Sequence, residues 1–544
     1  MLTLIFLFLL LFSSSKVLCC NQIERDSLLS FYHQIYQWSS TDCCRWEGVA
    51  CESYGSRPPE SSGSFLPVSI RILDLSSNRF NGSVDLSILR RAKNLISFNV
   101  SNNSFSGPVP SSICRSSPFL QVLDFSMNQF TGGIVDGFGE CSNLQIFRAG
   151  FNSLSGWLPN DVYRVRTLKE ISLSNNHFSG PINGSIVLLS GLRVLELHVN
   201  ELSGGLPTDI GLLSNLEQLQ LHTNSLNGSL PPSLMACTNL TTLLLRNNRF
   251  GGEISSLDFS KLQRLQAIDL GNNSFVGKVP DSLCLCRSVT AVRLAYNALV
   301  GEIPPCMASL KLLTHLSVSD NYLSNVVGAL RTLRNCDNLA VLFMSRPNPF
   351  LDCKIEEHQS LEPLLQQISG PIPNLGRRCT LFVLNLTKNF LSGDLSPEIC
   401  RLPALIADNA STDLSYLALP FLFDSLQYNR LFNLPRGLKV GNNSLTGNIP
   451  EELGRLELLH VLDLSNNNFN GSIPDKLSRL INLEKLDMSG NHLSGEIPHY
   501  QGFISYLRSA WHITILKEKF RVGVSLIHSL QLHLRGIPNF VAVC

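Results

Sequence analysis

A row of polar and charged side chains recurs along this chain at a near-constant interval. His198, His222 and Arg246 are evenly spaced. Asp269, Arg293, His315 and Ser317 continue the row, and Phe343, Asn385, Thr387 and Lys439 follow it. Arginine and lysine hold their charge at physiological pH, and each charge-assisted hydrogen bond to an anion contributes about 1.5–3 kcal/mol. Arg246, Arg293 and Lys439 are therefore the candidates for gripping an anionic ligand, with His315, Ser317, Asn385 and Thr387 beside them. Tyr416, Phe421 and Phe423 come from an aromatic-rich stretch and are candidates for closing over such a ligand. Catalysis is not expected, because the chain has no HExxH, GxSxG, phosphate-loop or CxxC pattern. No metal site and no cofactor are expected.

The row exists because a shorter pattern positions it. Leu459 to Pro474 reads LHVLDLSNNNFNGSIP, and Leu483 to Pro498 repeats the same spacing one period later. Leu462 and Leu464 alternate with Val461, Asp463 and Ser465, so the leucines share one face of a short strand and the other three face away. One such strand cannot bury its apolar face, but stacked copies wall one another in. Asn467 falls where the chain leaves the strand. Its amide is expected to satisfy backbone groups of its own turn and of the adjacent copy. Gly471 permits the bend that follows. The period and signature are those of a leucine-rich repeat, an α/β repeat solenoid with a parallel sheet. The candidate ligand residues are the outward partners of the buried leucines.

Equivalent asparagines stand at Asn78, Asn103, Asn128, Asn152, Asn176, Asn200, Asn224, Asn248, Asn273, Asn297 and Asn321, one period apart throughout. This gives repeats over 68–345. A weaker copy lies at Leu339 to Met344, and 346–369 fits no template. The gap from Asn321 to Asn389 is roughly three periods. A repeat over 370–404 is then expected, an insertion over 405–436, and closing repeats over 437–498. The insertion is read from the distance between Asn389 and Asn443, which exceeds two periods although no repeat asparagine fits between them. The tail, 499–544, follows no period, and no stretch is long and apolar enough for a transmembrane helix.

The chain has 544 residues, of which 44% are hydrophobic and 16% charged, with a net charge of +1. This balance gives no sign of nucleic-acid binding. Leu2 to Phe12 is an apolar run that suits a secretory signal peptide over 1–19. Secretion to the extracellular space is the expectation, with the plasma membrane as the site of any longer form. Eleven N-glycosylation sequons then become available: Asn81, Asn99, Asn102, Asn183, Asn227, Asn239, Asn272, Asn385, Asn409, Asn442 and Asn470.

Several stretches carry a resemblance. The GxIP ending of the repeat resembles the plant-specific extracellular subclass, whose members form an arc with the parallel sheet on its concave face. Residues 20–53, including DCCRWEGVAC from Asp42 to Cys51, resemble the N-terminal cap of that subclass. A disulfide staple is expected there. Cys44 with Cys51 and Cys20 with Cys43 are plausible pairs, and the connectivity stays open. With LQIFRAGFNSLSGWLP, LAYNALVGEI, NVVGALRTLRNCDNL and SLQYNRLFNLP, the chain resembles the ectodomains of plant phytosulfokine and tyrosine-sulfated glycopeptide receptors, and the related kinase-less receptor-like proteins. The resemblance implies a sulfated peptide bound between the concave face and an island insertion, and a co-receptor kinase as partner. It departs near 52–67, over 346–369, and after residue 498, where neither a C-terminal cap nor transmembrane and kinase segments follow. A receptor-like component or decoy is therefore the expected role. A wall-associated inhibitor of polygalacturonase type and a degenerate truncated gene product are the competing expectations.

Overall fold

A computed structural model describes residues 49–51, 69–346, 370–375, 380–406, 421–423, 426–428 and 434–498, with 49–51, 421–423 and 426–428 as backbone only. Residues 1–19, where a signal peptide is expected, the cap residues 20–48 with Cys20, Cys43 and Cys44, the segment 347–369, Asn409, Tyr416 and the tail lie outside the described residues. The chain divides into two compact units, 1–300 and 301–544.

In the first unit, each repeat contributes a short strand, and the strands pair in parallel in sequence order. Val194–Glu196 lies between Glu170–Ser172 and Gln218–Gln220, with Leu195 in register with Ile171 and Leu219. The ladder runs from Ile70–Asp74 to Ala291–Arg293. At its first edge Val49–Cys51 pairs antiparallel with Ile70–Asp74, which covers otherwise unpaired backbone groups. A second row of short parallel strands follows the first in each repeat, as in Glu201–Gly204, Ser225–Ser229 and Arg249–Glu253. Turns of 3-10 helix such as Ile210–Leu212 and Pro232–Ala236 lead back to the next strand.

Apolar burial and the asparagine ladder hold this together. Leu195, Leu197, Leu219, Leu221, Leu243 and Leu245 are fully or almost fully buried. Burying a leucine contributes about 1.5–3 kcal/mol, so each repeat is stable only through its neighbours. Asn224 shows the ladder contact: its Nδ2 donates to Leu197 O and Leu221 O, both at 3.0 Å, and its Oδ1 accepts from Leu202 N at 2.9 Å. One side chain thus bonds backbone in two successive copies, as the sequence leads one to expect. Gly471 has φ 73°, the left-handed bend assigned to it.

Cys114 and Cys141 form a disulfide between consecutive repeats, with Cα atoms 5.1 Å apart. The sequence reading looked for a staple only in the cap. Cys237, Cys286 and Cys336 are buried free thiols, and their Sγ atoms face carbonyls of the preceding repeat, as Cys237 does Ile210 O at 3.6 Å.

In the second unit His315–Ser317, Val341–Phe343, Val383–Asn385, Gly437–Lys439, Val461–Asp463 and Lys485–Asp487 pair in that order, all parallel. The stretch from Asn321 to Asn389 therefore takes two ladder steps, not three. Only Val341–Phe343 stands between the two strands. Val383–Asn385 likewise pairs directly with Gly437–Lys439, and the intervening chain includes an antiparallel hairpin of Phe421–Phe423 with Leu426–Tyr428. Val326–Leu333 is α-helical, and Asn325 caps it by accepting from Gly328 N at 2.9 Å.

Candidate functional site

Each repeat of the first unit sends three side chains outward: the two ends of the strand and the residue two positions past it. Along the ladder these make three columns, and their chemistry changes from one end to the other. Toward the early strands the face is acidic. Arg148 binds Glu170 through Nη2 to Oε2 at 2.9 Å and lies 3.8 Å from Asp124. Glu196 accepts from Ser172 Oγ at 2.7 Å and from Gln220 Nε2 at 3.1 Å.

Toward the later strands the charge reverses. Asp269 sits at the end of Ala267–Asp269 and is 2% exposed. Arg293, on the next strand, donates from Nη1 to its Oδ2 at 2.7 Å. Arg246, from the preceding repeat, has its Nε 3.9 Å from the same oxygen and forms no hydrogen bond through that atom. Two guanidinium groups thus stand beside one carboxylate. The corresponding position of the next repeat is Gly271, where a Cβ would stand 3.2 Å from both Asp269 Oδ1 and Ala295 O. Burial holds the Arg246 guanidinium below its usual pKa, against the opposing pull of Asp269. Asp269, which the sequence offers only as one member of the row, lies between Arg246 and Arg293.

Next to Arg246 along its column are His222 and His198. Their rings meet edge to face with centroids 4.3 Å apart. Burial lowers His198 to about 4 and is the largest cause lowering His222 to about 3, with His198, Arg246 and Arg293 adding to it. Both imidazoles are therefore neutral at physiological pH.

In the second unit His315 and Ser317 begin the outward face on one strand, and both are buried. Asn385 Oδ1 accepts from Thr387 N at 3.1 Å and from Thr387 Oγ1 at 2.9 Å, so these two candidates bind each other. Lys439 ends the Gly437–Lys439 strand and is buried. Phe421 and Phe423 belong to the first strand of the hairpin. Among the described residues no group of three histidine, cysteine or acidic side chains could hold a metal. Of the sequon asparagines, Asn81, Asn102, Asn183, Asn227, Asn272, Asn442 and Asn470 are exposed, whereas Asn99, Asn239 and Asn385 are half-buried.

Comparison with known proteins sets this geometry in context. The profile of the leucine-rich repeat N-terminal domain family matches residues 22–52, and that of the leucine-rich repeat matches 94–116, 119–141, 167–189, 264–286, 458–480 and 482–501. The ectodomain of the Arabidopsis receptor kinase HAESA, solved with a peptide hormone ligand, superposes with a TM-score of 0.61 at 27% identity, covering 88% of this chain and 83% of that one. The fold is the leucine-rich-repeat solenoid of plant receptor ectodomains. Receptor-like protein 3 of Arabidopsis thaliana is 37% identical over 204 residues, 29% of this chain and 27% of that protein. Phytosulfokine receptor 1 of Arabidopsis thaliana is 50% identical over 40 residues, 7% of this chain and 4% of that one. The match thus spans about a quarter of the length of the first relative and far less of the second. Among the described residues of this repeat protein, no helix is long and apolar enough to cross a membrane.

Proposed function

We propose that this chain is the ligand-binding part of an extracellular, non-catalytic receptor-like protein whose ligand is a peptide carrying a sulfate ester. The observation that carries the reading is the Arg246–Asp269–Arg293 cluster, where two guanidinium groups lie on the outward face of the ladder and Arg246 Nε has no hydrogen-bond partner. A sulfate ester stays anionic across the physiological range, and arginine supplies planar, permanently charged donors for it. The likeness to a receptor ectodomain solved with a peptide hormone, and the short match to a phytosulfokine receptor, support a peptide ligand of this class. Lys439, Asn385, Thr387, His315 and Ser317 belong to the same role in the second unit. The insertion around Phe421, Phe423 and Tyr416 supplies apolar contacts, and a peptide backbone can add to the edge of its hairpin. A membrane co-receptor kinase reads the bound state, so that the chain acts as a receptor-like component or a decoy. The exposed sequons carry the glycans.

Calorimetry on the secreted full chain tests this with sulfated and unsulfated peptides of the phytosulfokine and glycopeptide classes. Sulfate-dependent binding, weakened at least tenfold by Arg246→Ala and lost on deleting 407–435, is the expected result. A monodisperse protein that binds none of these peptides would sink the reading. Weight would then pass to the wall-inhibitor alternative, which inhibition of a fungal polygalacturonase measures directly.

A further inference from the structure

The outermost of the three columns in the first unit is small along its early course: Ser76, Ser101, Ser126, Gly150 and Ser174. On three consecutive repeats it becomes His198, His222 and Arg246, and it then returns to Gly271 and Ala295. Packing does not demand the change, because the inward leucines and ladder asparagines continue unaltered through the same repeats. A local rule broken without a structural need is a mark of function.

The three side chains also leave hydrogen-bonding capacity unused. His198 Nδ1, His222 Nδ1 and Arg246 Nε are buried without a hydrogen-bond partner. His222 and Arg246 are only 9% and 8% exposed, so these atoms have little access to water as a substitute. Buried polar atoms left unpaired are costly, and a ligand that pairs them recovers the cost.

We propose that His198, His222 and Arg246 form an oxyanion subsite that seats one sulfate or carboxylate group of a peptide ligand. This rests on the peptide-binding reading and adds to it the place of the charge and a coupling to protons. Arg246 supplies the permanent charge. On the early side of the histidines Glu196 is bonded to Ser172 and Gln220, and Glu170 to Arg148. Arg246, Asp269 and Arg293 face them from the late side. Burial and, for His222, the neighbouring cations keep the rings neutral. An oxyanion set against them reverses the local field, and an imidazole takes up a proton as the anion binds. The rings are 4.3 Å apart, so mutual repulsion limits the uptake to one proton between them. Affinity therefore rises as pH falls.

The test uses the full chain and two small probes, N-acetyl-O-sulfotyrosine amide for sulfate and N-acetylglycine for carboxylate. Calorimetry at pH 5 and pH 7, in buffers of unequal ionisation enthalpy, reads affinity and proton uptake together. At least one probe binds threefold or more tighter at pH 5, with uptake approaching one proton. Arg246→Gln abolishes probe binding. His222→Gln, which keeps polarity and approximate size, retains binding but loses most of the uptake, and a thermal melt checks its fold. Failure of both probes to bind at pH 5, or binding indifferent to Arg246→Gln, overturns the subsite. Sulfated peptides run in parallel separate the two claims: peptide binding that survives Arg246→Gln keeps the receptor reading and removes the subsite. If no peptide binds while a probe does so with the stated pH and Arg246 dependence, the subsite stands and the receptor reading fails.

Discussion

Leu219 and Gln220 are neighbours on one short strand, yet they belong to different regions of the protein. Leu219 points inward, is fully buried, and has a counterpart in nearly every repeat. Gln220 points outward, is half-buried, and shares its column with Asp124, Arg148, Ser172, Glu196, Leu244, Asp269 and Arg293. The inner side is uniform because each copy must be the wall of the next. The outer side is free to vary because strand pairing asks nothing of it beyond tolerance of the pleat. Structure is therefore written on one side of the strand and specificity on the other, and departures from uniformity on the outer side are where to look for a ligand.

The sharpest test of that division substitutes the two neighbours. Leu219→Ala is expected to cost about 2–5 kcal/mol, because it removes buried methyl groups and leaves a cavity. Gln220→Ala loses exposed-side bonds to Glu196 and Gln218 and should stay within about 1 kcal/mol. Denaturant midpoints for the pair decide it, and equal losses would show that the outer face is structural after all.

A second test concerns the pH range over which the outer face weakens the fold. The two histidines have folded values of about 4 and about 3, below the ordinary 6.5 of the unfolded chain. The unfolded state thus binds protons more strongly, and stability falls as pH drops from 6.5 toward those values. Each imidazole contributes a slope of up to about 1.4 kcal/mol per pH unit in that window. Chemical unfolding at pH 7 and pH 5 should show the loss, and the double variant His198→Gln, His222→Gln should show less of it. An unchanged slope would mean that the rings are more solvated than the structure shows.

The smallest expected effect lies at the junction of the two sides. The residue before each ladder asparagine is left-handed, and Asn175, Asn247 and Asn272 accept that readily. Val199 is β-branched and adopts φ 54° at the same position, with its side chain exposed. Val199→Asn is expected to raise stability by up to about 1 kcal/mol, read as a higher melting temperature, and to leave probe binding unchanged. A loss of binding would place Val199 within the ligand face.

The repeat period, the inward leucines, the ladder asparagines and the bend at Gly471 were all legible in the chain. Each is a local requirement repeated many times, and repetition makes a weak local signal plain. The outward direction of Arg246 and Arg293 was legible too, since it follows from alternation along the strand. Their shared carboxylate was not. That Arg246 lies near Asp269 depends on the register that sets their two repeats side by side. The pairing of His198 with His222, the Cys114–Cys141 bridge and the two ladder steps between Asn321 and Asn389 also required the stacked register. The sequence by itself determined which side of each strand is buried, because hydrophobic burial depends on spacing within one repeat. Only the tertiary structure decided which outward groups meet, because those contacts cross between repeats and depend on the register in which the repeats stack.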